Sequence, residues 1–287
     1  MLTIIQSVNE MQQCADELRR QGKRIAFVPT MGFLHEGHLS LMRIGRRLAD
    51  KLVVSIFVNP AQFGPGEDFD TYPRDLDNDL DLCSQEKVDV VFTPSRPEMY
   101  PENYQTSVQL DTLPNHLCGL SRPVFFTGVA TVVAKLFYMV KPHIAVFGEK
   151  DYQQLLVIRR MVNDLNMDIE IIGGPLVREP DGLAMSSRNN YLTSHQRPAA
   201  LSLCGALTKA QQMIDSGIRE SSPILSEAKK IIGTHTENEV DYISICDMHT
   251  LEKVETIDRP VLMALAVRVG GIRLIDNSIL EPKQQAG

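Results

Sequence analysis

Two histidines and two glycines lie together in the stretch of this sequence that is best suited to chemistry. His35 and His38 are three residues apart, so in the first turn of a helix both imidazoles would lie on one face. Gly32 and Gly37 let the backbone turn sharply and approach a ligand closely. Because a helix N-terminus presents free N–H groups and a positive dipole end, the stretch predicts a phosphate site, with imidazoles placed for chemistry on a nucleotide.

A second stretch repeats this strand–turn–helix order. The apolar run 143–147 is followed by Gly-Glu-Lys-Asp and then by a strongly periodic helical pattern. Lys150 would place a point charge on phosphates, and Asp151 would cap the helix. A solvated turn with an N-cap would account for Asp151 but would leave Lys150 without a reason.

Strands and helices alternate through the first part of the chain, and this alternation must position both stretches. The expected strands are 25–28, which should stop at Pro29, then 52–58, 88–92, 143–147 and 169–172. The expected helices are 8–21, 39–49, 70–86, 128–140 and 152–166, with an irregular tract at 94–127. Such alternation implies right-handed crossovers and a parallel sheet, whose ligands bind beyond the strand C-termini.

The alternation ends at the Gly-Gly-Pro sequence of residues 173–175. A polar loop follows, and then come two helical patterns, the first starting near residue 193 and the second at Pro223. The strand-like runs 240–246 and 260–269 follow, and Gly270-Gly271 predicts a hairpin after the second. We expect two domains, residues 1–176 and a smaller α+β domain of residues 177–287.

Composition narrows the class of protein. The 287 residues carry a net charge of −7 without a block of basic residues, which argues against a nucleic-acid partner. The five cysteines are scattered and lack CxxC spacing, which argues against a disulfide framework or a structural zinc site. No leader and no long apolar stretch is found, so the sequence predicts a cytoplasmic protein without a membrane segment.

Five segments in register, spread over both expected domains, carry a family resemblance. They are Pro29-Thr30-Met31-Gly32 with His35-Glu36-Gly37-His38, Val58-Asn59-Pro60 with Gln62-Phe63, Tyr72-Pro73-Arg74, Phe147-Gly148-Glu149-Lys150-Asp151-Tyr152-Gln153-Gln154, and Met185-Ser186-Ser187-Arg188-Asn189. In these segments the chain resembles the pantoate–β-alanine ligases, also called pantothenate synthetases. The histidine loop alone is shared by a wider adenylyl-transferring superfamily.

The resemblance implies a fold and a reaction. The fold would be α/β, a Rossmann-like parallel sheet of the nucleotidylyltransferase type with a smaller C-terminal α+β domain. The reaction would join pantoate to β-alanine through a pantoyl adenylate, with ATP consumed as substrate in the presence of Mg²⁺ and AMP and pyrophosphate released. A homodimer is also implied, with neither nucleic acid nor membrane as a partner.

The resemblance also implies the site residues. The catalytic residues would be His35, His38, Lys150 and Arg188. The ATP site would comprise Met31, Gly32, Phe33, Leu34, His35, Glu36, Gly37, His38, Gly148, Glu149, Lys150, Asp151, Val177, Met185, Ser186, Ser187 and Arg188. Pantoate and β-alanine would be bound by Asn59, Gln62, Arg122 and Gln154. The loop Met185-Ser186-Ser187-Arg188 resembles a mobile phosphate-binding loop, so the second domain would act as a lid.

Two positions depart from the family pattern. Phe125 stands where members commonly carry a histidine after Arg-Pro, so a third histidine is missing and Arg122 is the anion contact that remains. Asn78 interrupts the paired carboxylates that some members use for magnesium. No protein ligand for Mg²⁺ is therefore assigned, and the ion is expected to bind chiefly through the phosphates of ATP.

Three other functions share parts of the pattern. A nucleotidylyltransferase that moves AMP onto a phosphate acceptor would share the histidine loop, but paired glutamines and a second domain argue against it. A non-catalytic ATP sensor would keep the glycines without needing His38, Lys150 and Arg188 together. A tRNA-charging enzyme is disfavoured by the acidic composition and by the absence of an anticodon-binding module.

Overall fold

The computed structural model describes residues 2–282 and divides the chain into two compact units. Unit 1 contains Met1–Asp111, Arg122–Glu149 and Gln154–Leu176. Unit 2 contains Thr112–Ser121, Lys150–Gln153 and Val177–Gly287. Two short segments that precede residue 176 thus belong to the second unit.

Unit 1 is built on a six-stranded sheet with the order β1-β4-β3-β2-β5-β6, in which every described pairing is parallel. The strands are β1 (Thr3–Ile5), β2 (Ile25–Thr30), β3 (Lys51–Ile56), β4 (Val90–Phe92), β5 (Ile144–Gly148) and β6 (Glu170–Gly174). The connecting helices are α1 (Val8–Arg20), α2 (Glu36–Leu48), α3 (Leu76–Gln85), α4 (Arg96–Met99), α5 (Leu117–Ser121, in unit 2), α6 (Phe125–Val140) and α7 (Tyr152–Asp164). The predicted parallel α/β fold is confirmed.

The central strands are apolar on both faces because helices cover both faces of the sheet. Ile25, Phe27, Leu52 and Val54 are all fully buried. From β2 the chain proceeds to β3 and β4 on one side, whereas β5 and β6 lie on the other. This reversal between β2 and β5 creates the crevice at the carboxyl edge where parallel sheets bind ligands.

The prediction that the first central strand stops at Pro29 was wrong, because β2 continues to Thr30 and pairs Pro29 with Ser55. The backbone carbonyl of Thr30 accepts from the N–H of Phe57, just beyond β3. Because the backbone groups of successive strand residues point to opposite sides, the nitrogen of Pro29 faces β5. On that side the ladder to β5 ends at Phe27, so the missing N–H of the proline costs no ladder hydrogen bond.

Two predictions about the following region were also wrong. The helix expected from residue 70 begins only at Leu76, after Asp75 accepts from the backbone N–H of Asn78. The preceding residues form a turn in which Arg74 donates to the carbonyls of Phe69 and Tyr72. The tract 94–127, expected to be irregular, contains the short helices α4 and α5, and α6 begins three residues before its expected start.

Unit 2 places two helices on a three-stranded antiparallel sheet, β7-β8-β9. Its elements are α8 (Arg197–Asp215), α9 (Ser221–Ile232), β7 (Asn238–Cys246), β8 (Val261–Val269) and β9 (Ile272–Leu280). The predicted hairpin at Gly270-Gly271 joins β8 to β9. Short 3-10 helices occur at Pro60–Gln62, Leu113–Asn115, Glu149–Asp151 and Ser187–Tyr191. Among residues 2–282, no helix is long and apolar enough to cross a membrane.

Candidate active site

The histidine loop joins β2 to α2, and His35 is the N-cap of that helix. The backbone N–H of His35 donates to Nδ1 of His38 across 3.3 Å, and the two ring centroids lie 4.1 Å apart. Because Nδ1 of His38 accepts this bond, the neutral ring carries its proton on Nε2. The first turn of α2 therefore combines backbone N–H groups with an imidazole whose donor is Nε2–H, an arrangement suited to phosphate oxygens.

A second set of contacts fixes the direction of an amide at the end of β3. Asn59 is 1 % exposed, and its Nδ2 donates to the carbonyl of Gly128 and to Oε1 of Gln62, both at 3.1 Å. Its Oδ1 accepts from the backbone N–H of Ala61 and from the hydroxyl of Tyr100. Since Oε1 of Gln62 is held by Asn59, the amide nitrogen of Gln62 is the end that remains to donate, and a carboxylate would accept from it.

The histidine loop and the Gln62 amide meet at Met31. Nε2 of Gln62 lies 2.9 Å from Sδ of Met31, and both residues belong to loops at the carboxyl edge of the sheet. The structure thus brings the start of the loop that leads to the phosphate-suited helix terminus into contact with a carboxylate-suited amide.

Arg122 is engaged within unit 1. Its guanidinium donates to both carboxylate oxygens of Glu67 and to the carbonyl of Gln62, and it stacks 3.9 Å from the ring centroid of Phe125. Burial works against the charge of Glu67, but the guanidinium outweighs it and lowers the pKa of that carboxyl. Glu67 thus occupies the Nε and Nη2 donors of Arg122. Phe125, at the position of the missing histidine, helps hold the arginine in place.

The loop after β5 contributes residues to both units. In unit 1, Glu149 lies over β6, because a Cβ on Gly173 would approach its Oε1 to 2.7 Å, and Gln154 is half-buried at the start of α7. In unit 2, the backbone carbonyl of Lys150 accepts from Nδ2 of Asn277 at 2.8 Å. The Lys150 ammonium lies 3.6 Å from the Asp151 carboxylate.

The segment from Val177 to Arg188 is a folded loop within unit 2. The backbone N–H of Met185 donates to the carbonyl of Val177 at 3.0 Å, and the Ser186 hydroxyl accepts from the Arg188 N–H. Ser187 is buried, whereas Arg188 is half-buried. The base of this loop is held by Asn189, whose Nδ2 donates to the carbonyl of Ala184 and to Glu179. The loop therefore has a defined shape from local bonds.

Three supporting residues were not predicted. The buried carboxylate of Asp79 binds backbone N–H groups of the histidine loop, and the Tyr100 hydroxyl donates to Asn59 at 2.7 Å. Gln153 is buried and bonds to Leu113, His116 and Cys118, which fastens the segment Thr112–Ser121 within unit 2. Asp79 gave one signal, since it lies four residues before Cys83 on the apolar face of its helix. Tyr100 lies in a tract without periodicity.

The described residues do not offer a preformed metal centre. Within 2–282, no three His, Cys, Asp or Glu side chains are grouped so that they could hold a metal ion. Of the carboxylates on and before α3, Asp79 is occupied by backbone N–H groups and Asp75 caps the helix. These side chains do not fit a magnesium site of their own.

Comparison with known proteins covers nearly the whole chain. The family model of pantoate–beta-alanine ligase matches residues 3–279. A pantothenate synthetase of Syntrophobacter fumaroxidans is 60% identical over 98% of this chain and 99% of its own. The crystal structure of pantothenate synthetase from Thermus thermophilus has a TM-score of 0.93 at 43% identity, covering 98% of this chain and all of that one.

A third relative was crystallised with ligands. The pantoate–beta-alanine ligase of Francisella tularensis, complexed with beta-gamma ATP and beta-alanine, has a TM-score of 0.81 at 34% identity. It covers 97% of this chain and 98% of its own. With a full-length family match and close relatives over both units, this chain belongs to the family of pantoate–β-alanine ligases, the enzymes that condense pantoate with β-alanine.

Proposed function

We propose that the condensation proceeds in two steps through a pantoyl adenylate. In the first, a carboxylate oxygen of (R)-pantoate attacks the α-phosphorus of ATP, and the bond from that phosphorus to the pyrophosphate oxygen breaks. In the second, the β-alanine amine attacks the acyl carbon, the bond to AMP breaks, and the amine loses a proton as the amide forms. Neither step needs a nucleophilic side chain, so the protein must align the reactants and stabilise developing charge.

The meeting of the histidine loop with Gln62 at Met31 carries this proposal. His38 donates through Nε2–H to the phosphate oxygens on which charge develops as pyrophosphate leaves, and His35 binds beside it. The Gln62 amide nitrogen, directed by Asn59, donates to the carboxylate of pantoate. The attacking and leaving groups are thus each given a donor, as an in-line displacement requires.

The remaining predicted residues take supporting roles in the proposal. Lys150 and Arg188 neutralise phosphate charge, Gln154 binds pantoate and Val177 contacts the adenine through its backbone. Arg122 contributes indirectly, because its guanidinium is occupied by Glu67 and holds the carbonyl of Gln62. The loop Met185-Ser186-Ser187-Arg188 gives unit 2 the function of a lid.

We also propose the form in which ATP binds, the oligomeric state of the enzyme and its cellular location. ATP enters as its magnesium complex, with the ion held chiefly by phosphate oxygens, since the described side chains form no metal cluster. The Francisella tularensis relative, complexed with beta-gamma ATP and beta-alanine, supports both as substrates here. We propose a cytoplasmic homodimer, which light scattering would test.

Isotope exchange separates this mechanism from its rivals. With ATP, Mg²⁺ and pantoate, radiolabelled pyrophosphate should exchange into ATP without β-alanine, because the adenylate forms reversibly before the amine is needed. Net formation of AMP and pantothenate should require β-alanine as well. The measurement is label recovered in ATP, with L-lactate in place of pantoate as the control carboxylate.

Two results would contradict the proposal. Exchange that requires a phosphorylated acceptor would indicate a nucleotidylyltransferase, and condensation without any exchange would indicate that no free adenylate forms.

A further inference from the structure

A buried carboxylate on α3 reaches across to the histidine loop. Asp79 is 1 % exposed, and its two oxygens accept from consecutive backbone N–H groups, Oδ2 from Phe33 at 2.8 Å and Oδ1 from Leu34 at 2.7 Å. These donors are 46 and 45 residues away along the chain. A carboxylate that accepts two charge-assisted bonds fixes the position and the direction of the peptide that donates them.

The loop at this point adopts a conformation that needs such a fastening. Phe33 has a φ of 52° and Gly32 a φ of 83°, both in the left-handed region, which a phenylalanine rarely adopts without compensation. A Cβ on Gly32 would lie 2.9 Å from Oδ2 of Asp79, so the carboxylate is packed directly against the turn. On the other side, the Thr30 hydroxyl accepts from the Gly32 N–H and donates to the carbonyl of Ser55.

The fastened peptide leads directly into the two histidines. Leu34 precedes His35, the N-cap of α2, and the backbone N–H of His35 in turn holds Nδ1 of His38. A shift of the Phe33–Leu34 peptide would move the His35 N–H and change the direction of the His38 ring. Both oxygens of Asp79 face the loop, so the carboxylate acts on this path through the backbone.

We propose that Asp79 is a positioning residue for the condensation, which holds the loop so that His38 is oriented by the His35 backbone. The inference rests on the proposed role of His38. Only an ionised aspartate supplies one acceptor oxygen to each N–H. Burial raises the pKa of this carboxyl, and the Leu34 and Phe33 N–H groups counteract that effect. An asparagine would keep one acceptor but would direct an NH₂ group at the other donor.

A double-mutant cycle tests whether Asp79 acts through His38. We expect Asp79→Asn to lower kcat for pantothenate formation by about 10-fold or more, with KM for ATP changed by less than about 3-fold, because the loss falls on the transition state. In an enzyme that already carries His38→Ala, the same substitution should lower kcat by no more than about 2-fold, since the imidazole that Asp79 positions has been removed. Asp81→Asn, an exposed change on the same helix, is the matched control.

Each outcome of the cycle decides the inference. Additive losses, a loss confined to KM, or an unchanged kcat would overturn it. If Asp79→Asn does not fold, Gly32→Ala takes its place in the cycle, because the added methyl group displaces the same carboxylate. Additive losses of Gly32→Ala and His38→Ala would again overturn the inference. Failure of pantoate-dependent exchange in the unmodified enzyme would instead contradict the adenylate intermediate, so the two failures can be distinguished.

Discussion

An amide side chain has a donor end and an acceptor end, and at Asn59 the backbone decides which end faces which partner. The carbonyl of Gly128 only accepts and the N–H of Ala61 only donates, so the orientation of the Asn59 amide is fixed by two groups that cannot exchange roles. The side-chain amide of Gln62 is oriented in turn by the hydrogen bond that it accepts from Asn59. At the residue scale, the proposed preference for a carboxylate substrate thus depends on a buried asparagine.

The substitution Asn59→Asp tests this dependence. A carboxylate at this position would face the carbonyl of Gly128 and Oε1 of Gln62 without a hydrogen to donate, so Gln62 would turn its own NH₂ inward and its oxygen toward the substrate. We expect KM for pantoate to rise by about 10-fold, the cost of about one hydrogen bond to a charged group, while KM for ATP changes little. Steady-state kinetics with each substrate varied measures this.

The surface substitution Asn163→Asp controls for the added charge. Equal increases in KM for ATP and pantoate would contradict the role of Asn59 in directing Gln62.

Residue identities were predictable where types and spacing express the chemistry locally. The pair His35 and His38 and the glycine at position 32 could be proposed as site residues because three-residue spacing and a strand–helix junction already predict a phosphate site. The roles of Asp79 and Tyr100 could not be predicted, because their partners lie more than 40 residues away; the apolar-face position of Asp79 indicates burial but not what it binds. Family resemblance, rather than the residues alone, supplied the roles of Gln62 and Gln154.

Elements position these residues through close backbone contacts. Helix α6 crosses the 3-10 helix Pro60–Gln62 at Gly128, where a Cβ would lie 2.2 Å from the carbonyl oxygen of Ala61 and 2.7 Å from Cα of Gln62. No side chain fits there without moving one element. The identity of residue 128 thus sets how closely α6 approaches the 3-10 helix that carries Gln62.

The substitution Gly128→Ala should therefore act on both stability and binding. We expect a loss of about 1–3 kcal/mol in the free energy of unfolding from overpacking, and a KM for pantoate raised by several-fold as Gln62 is displaced. Chemical denaturation and pantoate-dependent kinetics are the measurements. The matched control is Gly205→Ala in α8, where a Cβ would meet no atom within 4 Å, so better helix propensity makes that change neutral or slightly stabilising. A Gly128→Ala enzyme with unchanged pantoate kinetics would contradict the argument.

Long elements with strong periodicity could be predicted from the sequence, whereas short elements could not. Parallel strands such as β2 and β3 are continuous apolar runs, which the pattern predicts directly. Strand β1 has three residues and forms by pairing with β4, so no local signal separates it from a loop. The first residues of the helix expected at 70–86 instead form a turn, in which Arg74 donates to backbone carbonyls. Local hydrogen bonds from a side chain to the backbone overrode the helical preference there.

At the scale of the whole molecule, the order of segments along the chain does not match their division into compact units. Gln153, from the motif after β5, donates to the carbonyls of Leu113 and His116, so two distant segments join within unit 2. A composition shift can mark a boundary near residue 176, but it cannot indicate that earlier segments cross it. Such exchanges depend on long-range hydrogen bonds that leave no periodicity in the sequence.

The carboxylates of the molecule respond to acid in opposite senses. The pKa values of Glu67, Asp89, Asp181 and Asp247 are lowered in the folded protein, so each contributes stability that is lost as pH falls. The pKa values of Asp79 and Asp276 are raised by burial, so their contribution changes in the opposite direction. Asp247 has the largest lowering among these, to about 2, because the backbone N–H groups of His249 and Thr250 donate to its carboxylate.

The substitution Asp247→Asn should consequently change stability in a pH-dependent way. Because the folded pKa is about 2 against an ordinary 3.8, the ionised form stabilises above pH ~4, and this contribution disappears as pH falls through 2. We expect Tm at pH 7 to fall by about 2–4 °C, the effect of losing roughly 1 kcal/mol of charge-assisted capping, and the difference from the unmodified enzyme to shrink as the pH falls toward 2. Calorimetry across pH 7 to 2 measures both, with Asp258→Asn, an exposed aspartate of the same unit, as the control for one lost charge. A difference in Tm at pH 2 as large as that at pH 7 would mean that the turn is stabilised by the geometry of the side chain and not by its charge.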